Sequence, residues 1–247
     1  CAPVLLVVAV LRLAFSAFCD YKNVMTENIS HNIKDIQAVI AKTAKKWNRK
    51  ADDVTLVAVS KVQPDERIDA ALAAGQRTFG ENRVQEAYAH WESRRTDYPD
   101  LRLHLIGPLQ SNKAADAVAL FDVIETVDRK KIARVLGQEM EKQGRKLPCF
   151  IQVNTGSEAQ KAGVDPAELQ QFYDYCIDEC GLDIAGLMCI PPIDEPAGIH
   201  FAFLKTLADR IGVSALSMGM SADYPKAIAA GATYVRVGSA LFGARAT

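Results

Sequence analysis

At 247 residues, 49% hydrophobic and 24% charged, with 29 Lys and Arg against 30 Asp and Glu, the chain has the composition of an ordinary globular protein. That length buries a full core in one large α/β barrel or two small domains, so no metal or disulfide staple is required. A formal charge of −1, without a long basic run or an aromatic-rich basic stripe, argues against nucleic-acid binding.

Residues 1–24 form an apolar stretch interrupted by Arg12, too short and too broken to span a bilayer. They are set apart as an extension, either the remnant of a secretion signal or a translated upstream segment, and the folded domain is taken as 25–247. From Ser30, a candidate N-cap, apolar residues recur at helical spacing to Trp47. The period then changes: VTLVAVS at 54–60 is a β-branched run typical of a strand buried on both faces. Pro64 and Gly75 bracket a short helix.

The alternation continues with strands at 76–80, 102–107, 121–127, 148–154, 183–190, 215–219 and 233–238. Helices are read between them at 83–95, 112–120, 129–143, 165–180, 197–211 and 223–230. Eight strands alternating with helices predict a single-domain α/β fold, a (β/α)8 TIM barrel, with the first helix covering its seam. An open doubly wound sheet is the alternative, but the segment after the first strand reads SKVQPDE rather than GxGxxG. The six cysteines at 1, 19, 149, 176, 180 and 189 fit neither zinc spacing nor a redox CxxC. They read as small buried residues in a reducing, cytoplasmic setting.

In a parallel barrel, chemistry sits at the C-terminal ends of the strands. The first strand ends in Ser60-Lys61, and alternation places Lys61 on the face of Val57 and Val59. A lysine desolvated there becomes a nucleophile toward carbonyls and forms Schiff bases. A snorkelling strand-end lysine is the plain alternative. The loops after strands seven and eight, Ser217 to Ser221 and Arg236 to Ser239, are rich in Gly and Ser and suit a phosphate. Arg236 shares a face with Tyr234 and Gly238; alternation leaves open whether that face points inward, and whether Arg236 meets a ligand or a buried ion pair. Asn82 and His104, near the ends of strands two and three, are further candidates, as are the loop lysines Lys113 and Lys161. With no metal cluster in the sequence, the constellation reads as a Schiff-base site for a phosphorylated aldehyde.

Six segments, AVSK (58–61), FGENRVQE (79–86), HLIGPLQSNK (104–113), VNTGSEAQKAG (153–163), SMGMSADYPKAI (217–228) and GATYVRVGSALFGAR (231–245), occur in the order found in one family. Through them the chain resembles the pyridoxal phosphate homeostasis proteins, which are similar to the N-terminal barrel of alanine racemase, the type III fold of pyridoxal 5′-phosphate (PLP) proteins. The resemblance implies that Lys61 forms the aldimine with PLP and that Ser221, Gly238 and Ser239 contact its phosphate, with Met220 nearby. It further implies that Arg236 faces the pyridine nitrogen, Asn82 lies by the ring, and His104 belongs to the pocket wall. Lys113 and Lys161 match family positions whose role stays open, a second PLP-handling site being one reading.

An arginine at the ring nitrogen keeps it unprotonated and weakens the ring as an electron sink. Racemases of this barrel type also use a base from a second domain, which this sequence does not supply after its eighth strand. The expectation is therefore a monomeric carrier of PLP in vitamin B6 and amino-acid homeostasis, not an enzyme, that serves apo PLP-dependent enzymes without binding nucleic acid or membrane. A weak PLP-dependent racemase and a class I aldolase acting on a sugar phosphate are the rivals.

Overall fold

The computed structural model describes residues 26, 28–158 and 160–243. The extension at 1–24, with Cys1 and Cys19, lies outside them. Eight strands are present: β1 (Thr55–Val59), β2 (Thr78–Glu81), β3 (Arg102–Leu105), β4 (Val123–Val127), β5 (Pro148–Gln152), β6 (Asp183–Met188), β7 (Ala215–Ser217) and β8 (Tyr234–Val237). They close in sequence order into one barrel, every pair parallel. Closure between β1 and β8 sets Val57 beside Arg236. The expected TIM barrel is the observed one.

Period-two alternation divides the core. Leu56, Ala58, Val235 and Val237 join the large apolar cluster that the strands share with the helices. Val57, Ile106, Phe150 and Met188 are equally buried but stand apart from that cluster, on the interior face. A Cβ added at Gly80 would lie 2.9 Å from Ile106 and 3.0 Å from Val57, so the glycine leaves room for those side chains inside the barrel.

The first helix, α1 (28–46), buries Ile29, Ile33, Ile36, Ile40 and Ala44, a stripe at three- and four-residue spacing. Each isoleucine contributes up to about 1.5–3 kcal/mol by leaving water. Asn32 donates to the Leu241 carbonyl at 2.9 Å and Arg49 to that of Ile228 at 3.0 Å, which pins the helix and its exit across the β1/β8 seam. Ser30 is not its N-cap, because helical backbone is already formed at 28.

The remaining helices are α2 (Asp65–Ala73), α3 (Val84–Trp91), α4 (Arg94–Asp97), α5 (Ala114–Leu120), α6 (Lys130–Gln143), α7 (Leu169–Asp174), α8 (Ala197–Ile211), α9 (Tyr224–Ala229) and α10 (Ser239–Phe242). The helix expected over 83–95 is two pieces, α3 and α4. The helix expected over 165–180 starts later, since the Asp165 side chain accepts the Ala167 N–H at 2.8 Å and holds a turn there. It ends as a π-helical turn over Tyr175–Glu179. Gln76 lies before β2, not in it; its amide donates to the carbonyls of Leu56 at 2.8 Å and Thr78 at 2.6 Å. No described helix is long and apolar enough to cross a membrane.

Candidate functional site

The C-terminal ends of β1, β7 and β8 converge on a cavity of about 290 Å³, lined by Val59, Lys61, Gln63, Met220, Ser221, Ala222, Arg236, Gly238, Ser239 and Gly243. It therefore gathers six of the eight residues to which the resemblance gives a place around PLP: Lys61, Met220, Ser221, Arg236, Gly238 and Ser239. Its volume is at the lower end of the range for small-molecule sites, about 300–1,000 Å³. A larger cavity, about 580 Å³, opens beside Leu147 and Asp183, at the start of β5 and β6. That is the face of a parallel barrel that carries stability rather than chemistry.

One wall of the cavity is a cradle of small residues. Gly219 has φ +88°, and a Cβ there would lie 2.5 Å from Ala227, so only glycine lets the chain turn from β7 this close to α9. The turn presents Ser221, whose Oγ accepts the backbone N–H of Gly238 at 3.3 Å and of Ala240 at 3.2 Å. Two N–H groups thus converge on one hydroxyl where the eighth strand ends.

From Arg236 in the cavity lining a buried polar chain runs on inside the barrel. Arg236, 4% exposed, donates through Nη1 to Ser217 Oγ at 2.6 Å and through Nη2 to the Cys189 carbonyl at 2.8 Å. Ser217 Oγ donates to Glu125 Oε2 at 2.5 Å, and the second Glu125 oxygen lies 2.6 Å from His104 Nδ1. Tyr234 packs on His104, with ring centroids 5.4 Å apart. Burial alone would push the Glu125 carboxyl up, but the His104 hydrogen bond and charge, the Arg236 charge 3.9 Å away and the Ser217 hydroxyl together hold it below its ordinary 4.5. Of the two readings the sequence left open for Arg236, the buried ion pair is the one the structure shows, and the same side chain lines the cavity.

His104 belongs to this interior chain and does not line the cavity. Asn82 is not among the residues lining that cavity either; it lines a space of about 650 Å³ with Arg83, Lys113 and Arg129. Gly107 packs so closely on Asn82 that a Cβ would lie 2.3 Å from its carbonyl oxygen. Lys113 pairs with Asp116 at 3.4 Å, and Lys161 with Glu158 at 2.5 Å. Ser217, read as part of the phosphate loop, instead ends β7 and bonds inward. The sequence reading missed Glu125, although a carboxylate within the apolar run FDVIETV is a usable signal of a buried partner.

A closed parallel barrel with a lysine after its first strand, an arginine on its eighth and a small-residue cradle between the last two defines a protein of the alanine racemase barrel class. The family model "Alanine racemase, N-terminal domain" matches residues 24–246. Within that family, the chain belongs to the pyridoxal phosphate homeostasis proteins. It is 41% identical over 228 residues to the pyridoxal phosphate homeostasis protein of Vibrio alginolyticus, covering 88% of this chain and 98% of the relative. To that of Escherichia coli strain K12 it is 38% identical, covering 88% and 97%.

Among solved structures it is similar to PipY of Synechococcus elongatus with PLP bound, at 42% identity and a TM-score of 0.73, covering 83% of this chain and 100% of that one. Alanine racemase of Clostridium difficile shares the fold at 16% identity and a TM-score of 0.68, covering 90% of this chain and 58% of that one.

Proposed function

We propose that this barrel binds pyridoxal 5′-phosphate through Lys61 and acts as a non-catalytic carrier in PLP and amino-acid homeostasis, with 25–247 as the binding unit. The observation that carries the reading is the convergence of an amine, an N–H cradle and a guanidinium on one cavity. These groups match the aldehyde, the phosphate and the ring nitrogen of PLP, and relatives bearing that name support the same reading. Ser221, Gly238 and Ser239 would hold the phosphate, Met220 would lie beside it, and Lys61 would supply the amine. The contributions proposed for Asn82 and His104 are indirect: Asn82 through the adjoining loop, His104 through Glu125.

When bound, PLP supplies an aldehyde for attachment and an electron-accepting ring. Arg236, a permanent cation paired with Glu125, disfavours a proton on the ring nitrogen and so limits that acceptance. Among the described residues lining the cavity there is one amine, that of Lys61, and one guanidinium, that of Arg236, with no His, Asp or Glu beside them. Moving an α-proton across the cofactor needs a second acid or base on the opposite face. Binding without turnover is what this lining favours.

We place the protein in the cytoplasm as a monomer that supplies apo PLP-dependent enzymes. Its buried unpaired thiols suit a reducing compartment. The test is to incubate the PLP-loaded protein with amino acids in deuterated water and, separately, with an apo PLP enzyme. Activation of the apo enzyme with no α-proton exchange above free PLP is expected. Exchange abolished by Lys61→Ala would instead make it an enzyme.

A further inference from the structure

Lys61 stands between two anchored neighbours. On one side, Ser60 Oγ donates to Glu81 Oε1 at 2.7 Å in the barrel wall. On the other, the backbone N–H of Val62 donates to Glu86 Oε1 on α3. Val62 itself is anomalous: it holds φ +59°, a left-handed conformation that costs a β-branched residue strain, and its side chain is 70% exposed. Its backbone N–H, held by Glu86, fixes the turn in that conformation.

Glu81 is also costly to keep. Its carboxylate is fully buried, with Ser60, His90 Nδ1 at 3.1 Å and Trp91 Nε1 at 3.0 Å all on Oε1, while Oε2 has no hydrogen-bond partner among the described residues. Ligand atoms of Glu81, Glu86 and His90 come within 4.8 Å of one another. Protein groups already engage each of these side chains, which makes the cluster a brace rather than a cation site.

Resting on the PLP reading above, we propose that Glu86 and Glu81 are positioning residues that form a clamp, anchoring the two neighbours of Lys61, Glu86 through the Val62 backbone N–H and Glu81 through the Ser60 hydroxyl, and so aiming its amine into the cavity. Glu86 holds the strained turn at Val62, and Glu81 fixes Ser60 against β2 and α3. Strain of this kind persists only where surrounding contacts over-determine it. Glycine occupies the left-handed region freely, so a glycine at 62 removes the need for Glu86.

The test measures PLP affinity and borohydride-trapped PLP at Lys61 in the wild type, Glu86→Ala, Glu86→Gln and the double variant Glu86→Ala with Val62→Gly. Affinity in Glu86→Ala is expected to fall about tenfold, and the double variant to recover most of it; Glu86→Gln, which keeps an acceptor oxygen, is expected to stay within about threefold of wild type. A merely structural role for Glu86 would not be rescued by a glycine at 62. Wild-type affinity in Glu86→Ala, or a loss the glycine does not recover, overturns the clamp. Should Glu86→Ala fail to fold, tenfold weakening in a folded Glu86→Gln overturns it as well. A wild type that loads no PLP on Lys61 refutes the functional reading itself, a distinct outcome from failure of the clamp.

Discussion

Replacing Glu125 with Gln tests the interior chain that holds Arg236. The substitution preserves shape and an acceptor oxygen but leaves the buried guanidinium without its counter-charge. At an effective dielectric of about 20, unit charges 3.9 Å apart attract by about 4 kcal/mol. Breaking a buried pair by removing one partner costs about 3–5 kcal/mol, an independent figure of the same size. For a domain of this length a loss of about 3–5 kcal/mol lowers the melting temperature by about 6–20 °C.

The sign with pH follows from the depressed Glu125 carboxyl. Its stabilisation is fully present above the unfolded value near 4.5 and is lost as pH falls through the lower folded value. Urea unfolding followed by tryptophan fluorescence, repeated from pH 7 down to pH 3, is the assay. Glu125→Gln is expected to be much less stable at pH 7 and to show a shallower loss toward acid than wild type. A difference below about 1 kcal/mol at pH 7, with an unchanged acid limb, would refute the reasoning.

Ser221→Ala removes the oxygen on which the Gly238 and Ala240 N–H groups converge; PLP affinity is expected to fall about tenfold with melting shifted by only a few degrees, and unchanged affinity in a titration would count against the cradle. Burial pushes the Cys176 and Cys189 thiols up to about 12 and the Cys149 thiol higher still. Alkylation of the native protein at pH 8 is therefore expected to reach Cys180, the partly exposed one, before these three. Mass mapping that finds Cys189 modified as fast as Cys180 would contradict that burial.

The barrel was legible because β1, β4, β5 and β6 are short runs rich in apolar residues and the longer helices are periodic. The cavity was legible through Lys61, Ser221 and Gly238, whose positions at strand ends place them at the mouth. Two kinds of feature were hidden. Whether Arg236 points inward depends on which face of β8 meets the helices, and only packing of Val235 and Val237 decides that. The Glu125 and Glu81 contacts are long-range pairings of side chains from different strands and helices, which no local period encodes. Asn82 and His104 stand near strand ends, but neither is among the residues lining the cavity at Lys61, and His104 is paired with Glu125 instead.

The central claim is that Lys61 is the residue that captures PLP. Visible absorption of the PLP-loaded protein and of Lys61→Ala, followed by borohydride reduction and peptide mapping, tests it directly. A yellow chromophore that borohydride fixes on the Lys61 peptide, and that Lys61→Ala lacks, is the expected result. A protein that stays colourless with added PLP, or whose trapped PLP maps to another lysine, would contradict it; a sugar phosphate trapped on Lys61 instead would make this barrel an aldolase.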